Sequence, residues 1–122
     1  PDFDALGVRL VAVTGDGPDR AGAMAERAGL RQMTVAHSMA MTPARDAWGL
    51  FISEGLAAWD EPELFFEPGH LLIGSDGRVA YRSVQNMPYG RPQPQDLLHG
   101  ISFVQTHGYP IRGTWRGTLS DG

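Results

Sequence analysis

Residues 6–14 form a nearly continuous, Val-rich apolar run, the pattern of a strand buried on both faces, and predict a central parallel strand. The turn residues Gly15, Asp16, Gly17, Pro18 and Asp19 follow. They lead into Ala21, Met24, Ala25 and Ala28 at helical spacing, closed by Gly29, so a strand, a turn and a helix are expected in that order. A second short strand is expected at 33–37. Thr42 and Pro43 then offer a cap and a first-turn proline for a short helix through Trp48 that closes near Gly49. Residues 53–68 hold Trp59, Phe65 and Phe66 among acidic residues and prolines without a sustained period, and are expected to be a long loop.

The next pattern is sharper. Two segments, 70–73 and 78–84, flank Gly74, Ser75, Asp76 and Gly77. The Asp-Gly pair supplies the positive φ that a tight turn needs, so an antiparallel hairpin is predicted. A Pro- and Gly-rich stretch, 86–94, delivers the chain to a helix presenting Leu97, Leu98, Ile101 and Val104 on one face, stopped by Gly108 and Pro110. The expected order is β-α-β-α-β-β-α over residues 1–113, an α/β class, with 114–122 as a polar tail. No internal repeat or low-complexity segment interrupts it.

Composition narrows the function classes. The chain has 122 residues, 42% hydrophobic and 20% charged, enough for one domain with a core and unlike a disordered segment. Ten basic residues against fourteen acidic ones give a net charge of −4, and no basic run exists that could neutralise a nucleic-acid backbone, so no nucleic-acid partner is expected. No apolar stretch reaches membrane-spanning length, and the start lacks the charged and apolar regions of a signal peptide. The expectation is a soluble, cytoplasmic protein without a membrane partner. There is no cysteine, so the chain can offer no disulfide, no thiolate metal ligand and no thiolate nucleophile.

Several segments resemble one known family. Glu67-Pro68-Gly69-His70-Leu71-Leu72-Ile73, Ser75-Asp76-Gly77, Ser83-Val84-Gln85-Asn86-Met87-Pro88, Gly90-Arg91-Pro92 and Tyr109-Pro110-Ile111-Arg112-Gly113 are similar to a peroxiredoxin-like branch of the alkyl hydroperoxide reductase/thiol-specific antioxidant (AhpC/TSA) family. Ala47-Trp48-Gly49-Leu50 resembles the short helix before the long loop, and the similarity runs from about Leu6 to Gly113. The resemblance implies a thioredoxin-like sandwich lacking its first core strand and helix, the segment in which family members carry the redox cysteine. It implies an antioxidant thiol oxidoreductase that is inactive in this form, with no cofactor and no metal. It also implies that Pro68, Gly69 and His70 face the redox site. Thioredoxin-fold proteins hold a cis-proline where Pro68 falls; a trans proline that ends a loop is the alternative. The arginine that many peroxiredoxins place before this strand is replaced here by Pro68 and Gly69.

The absent strand would lie between the strand of residues 8–13 and the one of residues 71–73. Its absence exposes two strand edges, and self-association into a homo-oligomer through those edges is the expected consequence. The hairpin is expected to stack beside the helix of residues 95–107.

Other chemistry is less well supported by pattern. His37, His70, His99 and His107 lack the spacing that brings two imidazoles to one metal. Gly15-Asp16-Gly17 lacks the full glycine fingerprint of a phosphate loop, and a capped turn explains it. Asp46, Glu54, Asp60, Glu61, Glu63 and Glu67 read as solvated charges rather than paired acid-base carboxylates. Met33, Met39, Met41 and Trp48 read as core packing. Arg82, Arg91 and Arg112 could gather near Asp76 or Glu67. Two rival functions remain: a non-catalytic thioredoxin-fold binding or scaffold domain using residues 59–67 for a partner, and an unrelated enzyme using His37 or His70 with an acidic neighbour.

Overall fold

A computed structural model describes residues 2–121, apart from the Pro88 side chain. Pro1 and Gly122, the outermost residues of the expected domain and tail, lie outside the described residues. The class is mixed α/β. A short helix α1 (Asp2–Ala5) precedes strand β1 (Val11–Val13), helix α2 (Pro18–Arg27), strand β2 (Thr34–Ala36) and helix α3 (Met41–Asp46). Strands β3 (Ile52–Glu54), β4 (Leu64–Phe66), β5 (Gly69–Ile73) and β6 (Val79–Val84) follow, and helix α4 (Pro94–His107) closes the order.

Strands β1 and β2 run parallel around α2, with Val11 opposite Thr34 and Val13 opposite Ala36. The helix between them forms as its residues dictate. Gly17 is its N-cap, Pro18 occupies the first turn where no amide bond is lost, and Gly29 at φ +66° ends it. Its inner face is Ala21, Met24 and Ala25, of which Ala21 is buried. Ala28 is exposed.

Strand β1 departs from expectation in length and environment. It covers three residues rather than the nine of the apolar run, and Val11 and Val13 are 50% and 41% exposed. The reason is its neighbourhood: β2 is its sole hydrogen-bonded partner strand among the described residues, so one edge is open, and only the face of Ala12 is half-buried. An apolar strand normally buried in a parallel sheet is here left at the surface.

Helix α3 also shifts. Ala40, not Thr42, is its N-cap, with no side-chain cap bond, and the helix ends at Asp46. Pro43 therefore sits in the third helical position. That is tolerated because the first-turn amides have no intrahelical acceptor. Ala44 is fully buried, Leu50 is buried just beyond the helix, and Trp48, expected to anchor the core, is 36% exposed. Met33, Met39 and Met41 are half-buried.

The segment expected as a loop, 53–68, instead contains a hairpin. Ile52 pairs with Phe66, Ser53 with Phe65 and Glu54 with Leu64, and a 3-10 turn at Ala57–Trp59 lies between the strands. Three-residue strands carry too little alternation to be read from the sequence, and Pro62 and the acidic residues mask the pattern.

The second hairpin forms as expected. Gly69 pairs with Val84, His70 with Ser83, Leu71 with Arg82 and Leu72 with Tyr81. The register then slips so that Ile73 meets Val79, leaving Ala80 as a bulge. Gly77 adopts φ +79° in the turn, and the Asp76 carboxylate accepts the Arg78 amide at 2.9 Å.

Helix α4 presents Leu97, Leu98 and Ile101 as half-buried residues, while Val104 is 42% exposed. The extensive contacts between elements join β5 to β6, β1 to β2, β3 to β4, α3 to β4 and α2 to β2. Helix α4 makes no comparably extensive contact, so the stacking of this helix beside the hairpin is at most slight. The strands form three separate two-stranded sheets rather than one. Among the described residues no helix is long and apolar enough to cross a membrane.

The core is correspondingly small. Ala21, Ala44 and Leu50 are the buried apolar residues among those described, and the chain exposes 9689 Å². A folded monomer of its 13.2 kDa mass exposes about 6,400 Å², and the same chain unfolded about 19,000 Å². Folding thus hides about half of the available surface, less than the roughly 60% hidden by a domain half as long. The excess is on the order of 3,300 Å².

Candidate functional site

Strands β4 and β5 are one extended run that changes partner at Glu67 and Pro68. Before this point the run pairs with β3, and after it with β6. The Glu67 amide donates to the Phe51 carbonyl at 2.8 Å, and the Pro68 carbonyl accepts the Gln85 amide at 3.1 Å. Proline has no amide to donate, which suits the residue at which one ladder stops and the next begins. The Pro68 peptide bond is trans, since no described bond is cis. Of the two alternatives left open by the sequence, the geometry is that of the trans proline. Glu67 is tied by the Ser53 hydroxyl, which donates to its carboxylate at 2.7 Å.

Gly69 begins β5 against the buried core. A methyl group on its Cα would collide with Leu50 Cδ2 and come within 3.5 Å of Val84 Cγ1. A larger residue here would displace the Leu50 side chain. His70, next along, stands directly opposite Ser83, so the two side chains share a face. Gln85 joins them, its amide nitrogen donating to Ser83 Oγ. His70 Nδ1 and Gln85 Oε1 are both buried without a hydrogen-bond partner among the described residues.

The electrostatics of this face are set by His70 and Arg91. Burial first, and the positive charge of Arg91 second, hold the His70 imidazole below its ordinary pKa of 6.5. At neutral pH the ring is therefore neutral, with one nitrogen a donor and the other an acceptor. The arrangement can orient a polar group and stabilise negative charge near Arg91. No hydrogen bond joins Ser83 to His70 among the described residues, and the chain has no cysteine to serve as a sulfur nucleophile.

No protein-family model matches this chain, and neither a curated protein nor a solved structure matches it.

The remaining candidates are dispersed. His37 meets the Ser38 hydroxyl, at 2.9 Å, and His107 stacks on Phe103 at 4.4 Å between ring centres. No group of three or more potential metal-ligating side chains occurs among the described residues. Gly15 is a packing residue, its Cα approaching Met41 and Phe66 so closely that a Cβ would lie 3.2 Å from each. Asp16 belongs to a turn in which its amide donates to Thr14 Oγ1 at 3.2 Å.

Arg82, Arg91 and Arg112 do not gather around Asp76 or Glu67 through ion pairs among the described residues. Arg82 lies over Gly49, and Arg112 over the Tyr109 ring. What pattern alone did not assign is the alignment of Ser83, Gln85 and Arg91 with His70. The signal for the first two was partial: the alternation of a hairpin places residues 83 and 85 on one face, but counting back from the turn would set Arg82 opposite His70, and it is the bulge at Ala80 that brings Ser83 there.

Proposed function

We propose that this chain is the scaffold portion of a thioredoxin-like thiol oxidoreductase of the peroxiredoxin kind, inactive by itself for want of a sulfur nucleophile. In this reading a further segment supplies a strand, a helix and a cysteine. The hairpin face of His70, Ser83 and Gln85, entered through Pro68 and Gly69, borders the thiol. The thiolate would attack one peroxide oxygen, the O–O bond would break, and a sulfenic acid and an alcohol would form after protonation. Arg91 would favour the thiolate by its charge. A cytoplasmic setting, in which thiols stay reduced, belongs to the same proposal.

One observation carries it: among the described residues His70 Nδ1 and Gln85 Oε1 are buried without partners on a single face. Buried polar atoms in folded proteins are almost always paired, so this face is built to receive another polar group. The open edge of β1 and the parallel β-α-β order support the same reading.

The second reading, a non-catalytic domain that self-associates through its strand edges, draws on the same open edge. Magnitude favours a further segment as the principal cover. Obligate interfaces remove on the order of 1,000–2,500 Å² from each partner, less than the excess of about 3,300 Å² left on this chain.

The test is hydroperoxide consumption with a dithiol reductant. The chain alone should consume no more than buffer. The chain joined to whatever its gene encodes before Pro1 should contain a cysteine and consume peroxide, and replacing that cysteine with serine should abolish the activity. Turnover by the cysteine-free chain, or an inert extended protein, would refute the proposal.

A further inference from the structure

Beyond the thiol reading and the strand edges, one surface pair in this molecule is complementary to itself. The first surface is the hairpin of β3 and β4. It exposes about half or more of each of Phe51, Leu56, Trp59 and Leu64, with Trp59 75% exposed. Five acidic residues, Glu54, Asp60, Glu61, Glu63 and Glu67, accompany it between positions 51 and 67, with no basic residue. The rest of the chain therefore has ten basic and nine acidic residues. The whole net negative charge of the protein resides on this one hairpin.

The second surface is the segment from Gly108 to Asp121, exposed throughout. It carries Ile111, Trp115 and Leu119, with Trp115 69% exposed, and the basic residues Arg112 and Arg116. Its sole acidic residue is Asp121. The Gly108 and Tyr109 amides tie its start to the Val104 carbonyl of α4, while its arginines bond within the segment: Arg112 reaches the Tyr109 hydroxyl, and Arg116 the carbonyls of Gly113 and Trp115. Among the described residues neither guanidinium meets a carboxylate. In extended form residues 111–119 span about 30 Å, long enough to cross between two molecules.

We infer that the 108–121 segment of one copy docks on the β3–β4 hairpin of a second copy. Trp and Arg dominate the centres of protein interfaces, and here the two most exposed tryptophans with adjoining opposite charge sit one on each surface. Arg112 and Arg116 meet the carboxylates of Glu54 and Glu63, which border a common groove with Gly55 and Leu64, and charge-assisted bonds of this type fix register. Trp115 covers the apolar tip. Reciprocal exchange of the segment between two copies closes a two-fold dimer.

Sedimentation velocity over a concentration series, at low and high salt, reads the contact. The wild-type chain should dimerise reversibly, and more weakly at high salt. Arg112→Glu/Arg116→Glu and, separately, Glu54→Arg/Glu63→Arg should each weaken the dimer at least tenfold, with far-UV circular dichroism verifying that both remain folded. An equimolar mixture of the two variants should associate again, because each then offers the surface the other lacks. A wild-type monomer at every concentration would overturn the inference. So would association that ignores salt and both reversals, the signature of strand-edge pairing, or a mixture that fails to recover although both variants fold. None of these outcomes depends on peroxide chemistry.

Discussion

His70 is where the chemistry of the hairpin face becomes measurable. Its pKa lies below 6.5 in the folded chain because burial and Arg91 disfavour the imidazolium. The unfolded state then binds more protons than the folded state between the two values, so stability falls as pH drops through 6.5. Above that value the contribution is fully present; below the folded value the loss levels off. Urea titrations from pH 8 to pH 5 should show this decline, and His70→Gln should flatten it.

Gly69 offers a test of packing at the same face. Gly69→Ala should cost about 1–3 kcal/mol in urea unfolding, since the added methyl collides with Leu50 and core overpacking carries penalties of this size. A neutral outcome would mean that Leu50 has room to move. In the sequence, position 69 stands out only through the family resemblance. Its demand for glycine comes from a side chain nineteen positions away, which no local pattern announces.

Among the elements, the β5–β6 hairpin was readable because Asp76-Gly77 states its turn, whereas its register beyond Ile73 was not, since the bulge at Ala80 shifts each later pair by one residue. Helices α2 and α4 were readable from spacing and from the glycines that end them. The β3–β4 hairpin was not. Its strands have three residues each, and its close approach depends on Gly55, whose Cβ would strike the Pro62 carbonyl. Backbone cannot yield as a flexible side chain does. Gly55→Ala should therefore cost up to roughly 3 kcal/mol, read as lost hydrogen-exchange protection of the amides paired between Ser53 and Phe65 while β5–β6 protection persists. At the candidate site the sequence pointed to Pro68, Gly69 and His70. The contribution of Arg91 depends on how the stretch after β6 returns to the hairpin, which a Pro- and Gly-rich segment leaves unspecified.

At the scale of the whole molecule, an apolar run reading as a central strand lies at an edge with Val11 and Val13 exposed, and the surface is about half again as large as that of an ordinary folded monomer of this mass. Residues 6–14 describe the environment this strand is suited to, whereas the described chain supplies only one neighbour. A small core predicts shallow, weakly cooperative melting of the chain alone. The edge itself can be read amide by amide. Thr14 donates to the Ala36 carbonyl, and residues of a parallel strand alternate between neighbours, so Ala12 and Thr14 point to β2 while Val11 and Val13 point away. Hydrogen exchange at the Val13 amide, in the dilute chain and in the chain extended by its upstream sequence, is the most direct test. Fast exchange in the first and strong protection in the second is the predicted result; a Val13 amide already protected in the dilute chain would mean that the edge is covered and the scaffold needs nothing more.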